Sequence, residues 1–327
     1  DQIHAPVVIS LGFSEQLDVV LSSAGANSEI TTQGLTRGMS GNADVVGQVL
    51  YRFPGDRFMV HAGVNAPAGK TGLSPEELSI AQALAHPLLG FTLKQYGRGL
   101  DLNGGIALAI PLSEAVNFGL GAGFLSAGDY TLLQDEAKYK PGAQISVSGG
   151  LDVVPTESNN IARFDVTYRL FGTDELGGNG IFEEGDQIEA QVLGQTRNES
   201  FVLSGSGRAV FKQDNTILTP GGDDVSNLSE KPGTSYDVKA AIEKPFSSTF
   251  ALGLQGEGRF FRGSDVSGLD GSVVGGGPTM RIQWETGWFR LSGRYLTGSI
   301  DEGTETPMFD VSGFAISAAL GLRGGGR

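Results

Sequence analysis

The chain has 327 residues, with 37 Asp and Glu against 23 Lys and Arg, a formal charge of −14, 51 glycines and no cysteine. The lack of cysteine excludes a disulfide framework, a Cys zinc site and a Cys nucleophile, and an acidic chain without a basic cluster excludes a nucleic-acid partner. Charged residues make up 18% of the chain, below the roughly 25% of soluble domains, and the 39% of hydrophobic residues excludes a disordered chain.

The beginning of the chain lacks the features of a signal peptide. No basic region and no apolar core follow Asp1. A chain that begins with Asp rather than Met indicates a processed mature protein, so we expect its signal peptide to have been removed. No run of about 20 apolar residues is present anywhere, which excludes a transmembrane helix.

Residues 5–24 carry apolar side chains at alternate positions, from Val7 to Leu21. Three interpretations fit this pattern. The segment is one long strand, or it turns at Ser14-Glu15, or residues 1–14 form a short plug inside the protein. The pattern does not distinguish among them.

Alternation with a period of two continues along the rest of the chain, with one apolar face and one small or polar face. The alternating runs are about 10–13 residues long, whereas strands of soluble sheets have about 5–6 residues and tilted membrane strands about 9–11. The clearest runs are 100–110, 116–124, 144–153, 162–170 and 314–322.

The connections alternate between short and long, which is typical of outer-membrane barrels. The predicted short turns lie at 54–56, 111–114, 155–159, 197–199, 245–248 and 285–287, and the predicted long loops at about 25–41, 67–98, 127–139, 172–184, 213–233, 263–270 and 299–307. Six short hairpins, one strand before them and one after them give fourteen strands, with both termini on the short-turn side. We therefore predict an all-β, up-and-down antiparallel transmembrane barrel with short periplasmic turns and long extracellular loops.

The loop 67–98 contains the one predicted helix. Ser74-Pro75-Glu76-Glu77 forms a capping box with proline at the first helical position, and the helix ends before Pro87. An apolar helix in an exposed loop needs a cover, so this helix is a lid over the barrel, a groove for a lipophilic ligand, or both. The candidate ligand-binding residues are Leu78, Ala81, Leu84, Leu88 and Phe91.

Charged residues of both signs occupy the face opposite the apolar one. They are unfavourable beside lipid and normal in a wet interior, so we expect them to line the lumen and to form cross-strand ion pairs. The candidate lumen-lining residues are Asp101, Asp152, Arg163, Asp165, Arg169, Glu189, Arg208, Glu257, Arg259, Arg281, Arg290 and Arg294, accompanied by Asp237, Lys239 and Glu243.

No motif indicates catalysis. Gly69-Lys70-Thr71 lacks the earlier glycine of a phosphate-binding loop, no G-x-S-x-G motif is present, and His61 lies alone on the inward face. We therefore predict no catalytic residue, no metal site and no cofactor, and a protein that is not an enzyme.

The fourteen predicted strands, the helix in the loop after strand three, and the run Val64-Asn65-Ala66-Pro67-Ala68-Gly69 together resemble the FadL-like family. This family comprises outer-membrane transporters of fatty acids and aromatic hydrocarbons, including those encoded with phenol meta-cleavage pathways. The resemblance spans most of residues 15–323 and implies passive uptake of hydrophobic molecules, captured outside and released through the wall. The family's N-terminal plug of some forty residues is not evident here, and no ligand-contacting residue matches individually.

The sequence thus predicts one outer-membrane barrel domain over residues 1–327 in a diderm bacterium. The leading function is passive uptake of small, hydrophobic molecules. Two alternatives stay open, a general diffusion porin and a non-transporting barrel that scaffolds a surface assembly. The expected partners are outer-membrane lipid, surface glycolipid, a small-molecule solute and further subunits of the same or another chain.

Overall fold

The structure is a computed structural model that describes residues 1–32, 34–155, 159–218, 224–265, 270–301 and 309–322. These residues form strands almost throughout, with one helix. In chain order the elements are β1 (Gln2–Gly12), β2 (Leu17–Thr32), β3 (Leu35–Asn42), β4 (Val45–Arg52), β5 (Phe58–Ala66), α1 (Pro75–Ala85), β6 (Asp101–Pro111), β7 (Val116–Ser126), β8 (Tyr130–Thr131), β9 (Lys138–Lys140), β10 (Gln144–Val153), β11 (Ile161–Phe171), β12 (Thr173–Leu176), β13 (Asn179–Glu183), β14 (Gln187–Arg197), β15 (Val202–Lys212), β16 (Asn215–Leu218), β17 (Asp224–Glu230), β18 (Thr234–Pro245), β19 (Phe250–Arg262), β20 (Gly271–Trp284), β21 (Gly287–Ile300) and β22 (Phe309–Leu322).

One large antiparallel sheet, here called the wall, contains sixteen of the described strands. Each strand pairs with the next long strand along the chain, in the order β1, β2, β4, β5, β6, β7, β10, β11, β14, β15, β18, β19, β20, β21 and β22. β3 extends the line of β4 toward the long-loop end of the wall. Among the described residues, β3 pairs only with Gly25–Thr32 of β2. The predicted fold class, an up-and-down antiparallel sheet of the transmembrane barrel type, is confirmed.

The apolar side chains of the wall lie on its outward face and remain exposed. Phe124 is 51% exposed, Val147 53% and Leu254 62%. A continuous apolar surface of this kind is rare on soluble proteins and typical of barrels in lipid. In the part of the chain that the structure describes, no helix is long and apolar enough to cross a membrane.

The first hairpin resolves the ambiguity at residues 5–24. The chain turns at Ser14-Glu15, and β1 pairs with β2 over its whole length, from Gln2 opposite Ser28 to Gly12 opposite Asp18. The path through the wall therefore has fifteen strands, one more than the fourteen expected. Because of the additional strand, Gln2 lies on the long-loop side, and the expectation that both termini lie on the short-turn side is wrong.

Several predicted loops are strands. Most of the segment 25–41 belongs to the β2–β3 hairpin, which is not a loop. The loops after β7, β11 and β15 form a second sheet of six short strands, here called the outer sheet, in the order β17, β16, β13, β12, β9 and β8. These strands lie beyond the apolar belt, so they need no lipid-facing residues and show no apolar alternation in the sequence.

The two ends of the wall are free edges. Among the described residues, β1 pairs only with β2, and β22 pairs only with β21. The side chains of β22 are accordingly more exposed than those of the inner strands, with Phe314 at 82% and Ile316 at 80%.

Two clusters of buried apolar residues lie at the long-loop end of the wall. One cluster contains Met39, Leu73, Ile80, Leu84 and Tyr96. A second contains Leu88, Phe261 and Val273. Both clusters form between the wall and residues 67–100, here called the crossing segment. This segment joins β5 to β6 and carries α1.

Candidate functional site

The helix α1 forms where the sequence predicts it. Ser74 is its N-cap, with the Glu77 backbone N–H donating to Ser74 Oγ at 3.3 Å and the Ser74 N–H donating to Glu77 Oε2 at 3.2 Å. Lys70 also donates to the Glu77 carboxylate. Burial raises the pKa of Glu77, but the hydrogen bonds from Lys70 and Ser74 outweigh burial and hold this pKa below its ordinary value.

Asp44 holds both ends of the crossing segment. Its carboxylate accepts hydrogen bonds from Gly69 N at 2.7 Å, from Arg98 N at 2.8 Å and from Asn65 Nδ2 at 2.8 Å. Its own N–H donates to the Tyr96 carbonyl at 3.1 Å. Asp44 is 7% exposed, so these bonds replace the water that a buried carboxylate has lost.

Glycine at positions 69 and 97 allows two stretches of backbone to pack directly against each other. A Cβ on Gly69 would lie 2.1 Å from the Tyr96 carbonyl oxygen, and a Cβ on Gly97 would lie 2.5 Å from the Gly69 carbonyl carbon. No side chain fits in either place. The start and the end of the crossing segment therefore form one tightly packed unit above β4 and β5.

The middle of the crossing segment reaches the opposite part of the wall. Leu88 is buried against Phe261 of β19 and Val273 of β20. Arg259 Nη1 donates to the Leu88 carbonyl at 3.1 Å, and a Cβ on Gly90 would lie 1.7 Å from the same nitrogen. The segment thus spans the mouth of the wall from β5 to β19 and β20.

The crossing segment also contacts the first hairpin. Gln2 Nε2 donates to the Leu93 carbonyl at 2.8 Å, and Leu93 N donates to Gln2 Oε1 at 3.2 Å. Tyr96 forms a hydrogen bond with Ser28 of β2, with 2.9 Å between the two hydroxyl oxygens. One segment therefore ties the N-terminal strands to strands near the C-terminal edge.

A cavity of about 280 Å³, here called the outer cavity, lies between α1 and the end of the crossing segment. Its surface is mainly apolar, with polar side chains among the lining residues, an arrangement common in sites for small apolar ligands. It is lined by Met39, Lys70, Thr71, Leu73, Leu78, Ala81, Gln82, Ala85, Lys94, Gln95, Tyr96, Gly97, Tyr130, Thr131 and Leu132.

The structure divides the five candidate ligand-binding residues. Leu78 and Ala81 line the outer cavity. Leu84 and Phe91 instead belong to the first buried cluster, and Leu88 to the second. The apolar residues that the sequence assigns to one groove therefore have two roles. Some line the outer cavity, and the others pack the crossing segment against the wall.

Three glutamates of the inner face each lie between two arginines, and five of the six contacts join different strands, whereas Arg259 and Glu257 both lie on β19. Most of these groups are partly buried. The contacts are Arg169–Glu189 at 2.6 Å, Arg208–Glu189 at 2.6 Å, Arg281–Glu243 at 3.3 Å, Arg290–Glu243 at 3.0 Å, Arg259–Glu257 at 3.1 Å and Arg294–Glu257 at 2.8 Å.

The remaining candidate charges lie at the two ends of the wall. Arg163 contacts Asp152 at 2.7 Å and Asp165 at 3.5 Å near the short turns. Asp101, at the top of β6, is 1% exposed, pairs with Arg98 and accepts a hydrogen bond from Gly128 N at 3.2 Å. Asp101 therefore fixes loop backbone at the mouth.

Sequence reasoning missed Asp44, Ser28 and Tyr96. Ser28 lies in a stretch predicted to be an exposed loop, and Asp44 lies just beyond it, where a polar residue between apolar runs suggests contact with water. Gly69 and Gly97 were a usable signal, because two glycines that flank a predicted lid indicate close backbone packing.

The outer sheet has its own partly buried polar contact. Tyr139 of β9 donates to the carboxylate of Asp174 on β12. Burial, with this hydrogen bond, raises the pKa of Tyr139 above its ordinary value, so the phenol stays protonated. In the described part of the chain, no three His, Cys, Asp or Glu side chains are grouped so as to hold a metal ion.

No protein-family model matches the chain, and no curated protein sequence matches it. Among solved structures, it is similar to CymD, a monoaromatic hydrocarbon channel, with 9% identity and a TM-score of 0.43, over 98% of this chain and 86% of CymD. It is also similar to the open form of Fiu, the ferric-catecholate import receptor of E. coli K12, with 10% identity and a TM-score of 0.37, over 98% of this chain and 63% of Fiu.

Proposed function

We propose that this chain is an outer-membrane channel for the passive uptake of small, mainly apolar molecules, with the outer cavity as the capture site. The observation that carries the proposal is the apolar cavity beside α1, at the mouth of a wall whose outward face is apolar. A solute that leaves water for this cavity gains about 25 cal/mol per Å² of apolar surface buried, so capture requires no cofactor.

The crossing segment supports a selective channel over an open pore. It spans the mouth and is held at both sides by buried contacts, through Asp44 near β5 and through Leu88 near β19. An open diffusion pore needs an unobstructed mouth, whereas capture followed by passage needs a cover that excludes water. The charged inner face provides a wet path below this cover.

Filling the outer cavity tests the capture site. We expect Ala81→Phe to weaken binding of naphthalene by about tenfold, because the larger side chain occupies the cavity. Ala83→Phe is the matched control, because it makes the same change on the same helix at a residue that does not line the cavity. Calorimetric titration of the protein in lipid nanodiscs, corrected with empty nanodiscs, measures both affinities. Equal affinities for the two variants would reject the capture site.

Single-channel conductance in a planar bilayer separates this proposal from a general diffusion porin. We expect no steady ion conductance from the intact chain, because the crossing segment covers the mouth. Large, steady openings would favour the porin. A silent channel that also fails to bind naphthalene would favour the scaffold.

A further inference from the structure

A second cavity lies on the inner side of the crossing segment. This inner cavity has a volume of about 340 Å³ and lies against the upper parts of β4 to β7. Val46, Leu93 and Leu125 give it apolar surface, and the Asn103 amide has no hydrogen-bond partner among the described residues. The cavity faces the lumen, because the neighbours of these wall residues in sequence, such as Phe124, point outward.

The outer and inner cavities share three lining residues, Gln95, Tyr96 and Gly97. A single stretch of chain therefore separates the two cavities. Gln95 Nε2 donates to the hydroxyl of Tyr130 at 3.1 Å, which holds one side of this stretch toward the outer loops. Displacing only this stretch would join the two cavities into one continuous path.

The hydroxyl of Tyr96 ties the separating stretch to the wall. It donates to the Met39 carbonyl at 3.3 Å and accepts from Ser28 Oγ at 2.9 Å, and Ser28 in turn accepts from Gln2 Nε2 at 3.2 Å. Tyr96 is 4% exposed and Ser28 1% exposed, so water does not compete for these bonds. Loss of the tie leaves buried polar groups without partners and loosens the stretch.

We propose that Gln95–Gly97 is a gate between the outer and inner cavities, and that the hydrogen bond between Tyr96 and Ser28 keeps it closed. The nature of the molecule that passes rests on the proposed function. The position of the gate and its tie rests only on the two cavities and the contacts of Tyr96. Opening requires movement of the stretch away from β2 and loss of the hydrogen bond from Asp44 N to the Tyr96 carbonyl, and the strands of the wall stay in place.

The lack of cysteine allows each cavity to be probed with one introduced thiol. Asn103→Cys places a thiol in the inner cavity and Gln82→Cys places one in the outer cavity. The probe is N-phenylmaleimide, a small apolar thiol reagent, added outside proteoliposomes that hold the protein with its loops outward and enclose glutathione, which consumes any reagent that arrives through the lumen. Its rate of addition is measured by mass spectrometry. We expect Tyr96→Phe to increase the rate at Asn103→Cys by about tenfold, because only the hydroxyl tie is lost. The rate at Gln82→Cys stays unchanged, which also shows that the mouth is folded.

Two further variants make the test specific. Ser28→Ala removes the same tie from the wall side, so we expect it to increase the inner rate in the same way. Tyr168→Phe removes a tyrosine hydroxyl that donates to Asp186, away from both cavities, and we expect no change. An inner rate that is unaffected by Tyr96→Phe and Ser28→Ala, or equally affected by Tyr168→Phe, would overturn the gate. If naphthalene does not bind but the inner rate depends on Tyr96, the gate stands and the proposed function fails.

Discussion

At the scale of single residues, Asp44 connects the two ends of the crossing segment. We expect Asp44→Asn to lower the protection of the crossing-segment amides by about 1–3 kcal/mol, because one of the two accepting oxygens becomes an amide nitrogen, which cannot accept the bond from Gly69 N on one side of the carboxylate or the bond from Arg98 N on the other. Hydrogen exchange measures this loss, with the amides of β10 and β11 as internal reference. The control is Asp18→Asn, which removes a partly exposed carboxylate paired with Arg52 at the other end of the wall. Equal protection in the two variants would contradict the role of Asp44.

Glu257 shows how the charged wall supports the mouth. Its side chain is 4% exposed and lies between Arg294 and Arg259, and Arg259 in turn holds the Leu88 carbonyl. Arg294 reaches Glu257 across β20, where glycines occupy the intervening inward positions.

We expect Glu257→Gln to lower the free energy of unfolding by about 2–3 kcal/mol, because two partly buried arginines lose their counter-charge. Asp152→Asn is the control and should cost less than about 1 kcal/mol, because the side chain of Asp152 is 38% exposed and its pair with Arg163 is screened by water. Urea unfolding in detergent measures both changes. A smaller loss for Glu257→Gln than for Asp152→Asn would show that the buried pairs contribute little to stability.

At the scale of elements, the pH dependence of α1 follows from Glu77. The pKa of Glu77 is lowered in the folded protein, so its stabilising effect is present above the ordinary value of 4.5 and is lost as the pH falls through and below that value. We expect naphthalene affinity to be constant from neutral pH down to about 5 and to decrease below it. Glu77→Gln should bind more weakly at neutral pH and lose this dependence.

The control for this experiment is Glu114→Gln, in the short turn between β6 and β7. It should keep both the affinity and the pH dependence of the unaltered chain. Retention of the pH dependence in Glu77→Gln would show that another group is responsible.

The helix and the strands beyond the lipid differ in how well the sequence predicts them. The helix is confirmed because its signal is local, since Ser74 and Glu77 form the capping box within one turn. The upper part of the β2–β3 hairpin and the outer sheet were predicted to be loops. Their strands are held by pairing between loops far apart in sequence, such as Phe182 with Ile217, and neither face meets lipid.

At the scale of the whole molecule, fifteen strands leave β1 and β22 running in the same direction. Lipid offers no hydrogen bonds, so two unpaired edges are unstable in a membrane. We expect these edges to pair in parallel in the bilayer. The test combines Ser10→Cys in turn with Ala315→Cys, Ser317→Cys or Ala319→Cys. All four positions lie between the middle of β1 or β22 and the short-turn end of that strand.

Oxidation of these double variants in proteoliposomes should give an intramolecular disulfide in at least one combination, seen as a faster-migrating monomer on a non-reducing gel. The control is Ser10→Cys with Ser148→Cys, which lies on β10 in the interior of the wall and should not cross-link. Exclusively intermolecular dimers would contradict closure and indicate that the edges pair between two copies.

The sequence by itself determined the wall and the helix. A strand in lipid requires apolar residues at every second position, so β6, β7, β10, β11 and β22 are visible in the alternation, and the charges on the other face predict the ion pairs. Tertiary structure alone decided the turn at Ser14-Glu15, the fifteenth strand and the arrangement of the mouth. The contacts that build the mouth, Arg259 with Leu88 and Ser28 with Tyr96, join residues that are 171 and 68 positions apart. Such contacts depend on which strands the folded wall brings together, and no local periodicity encodes them.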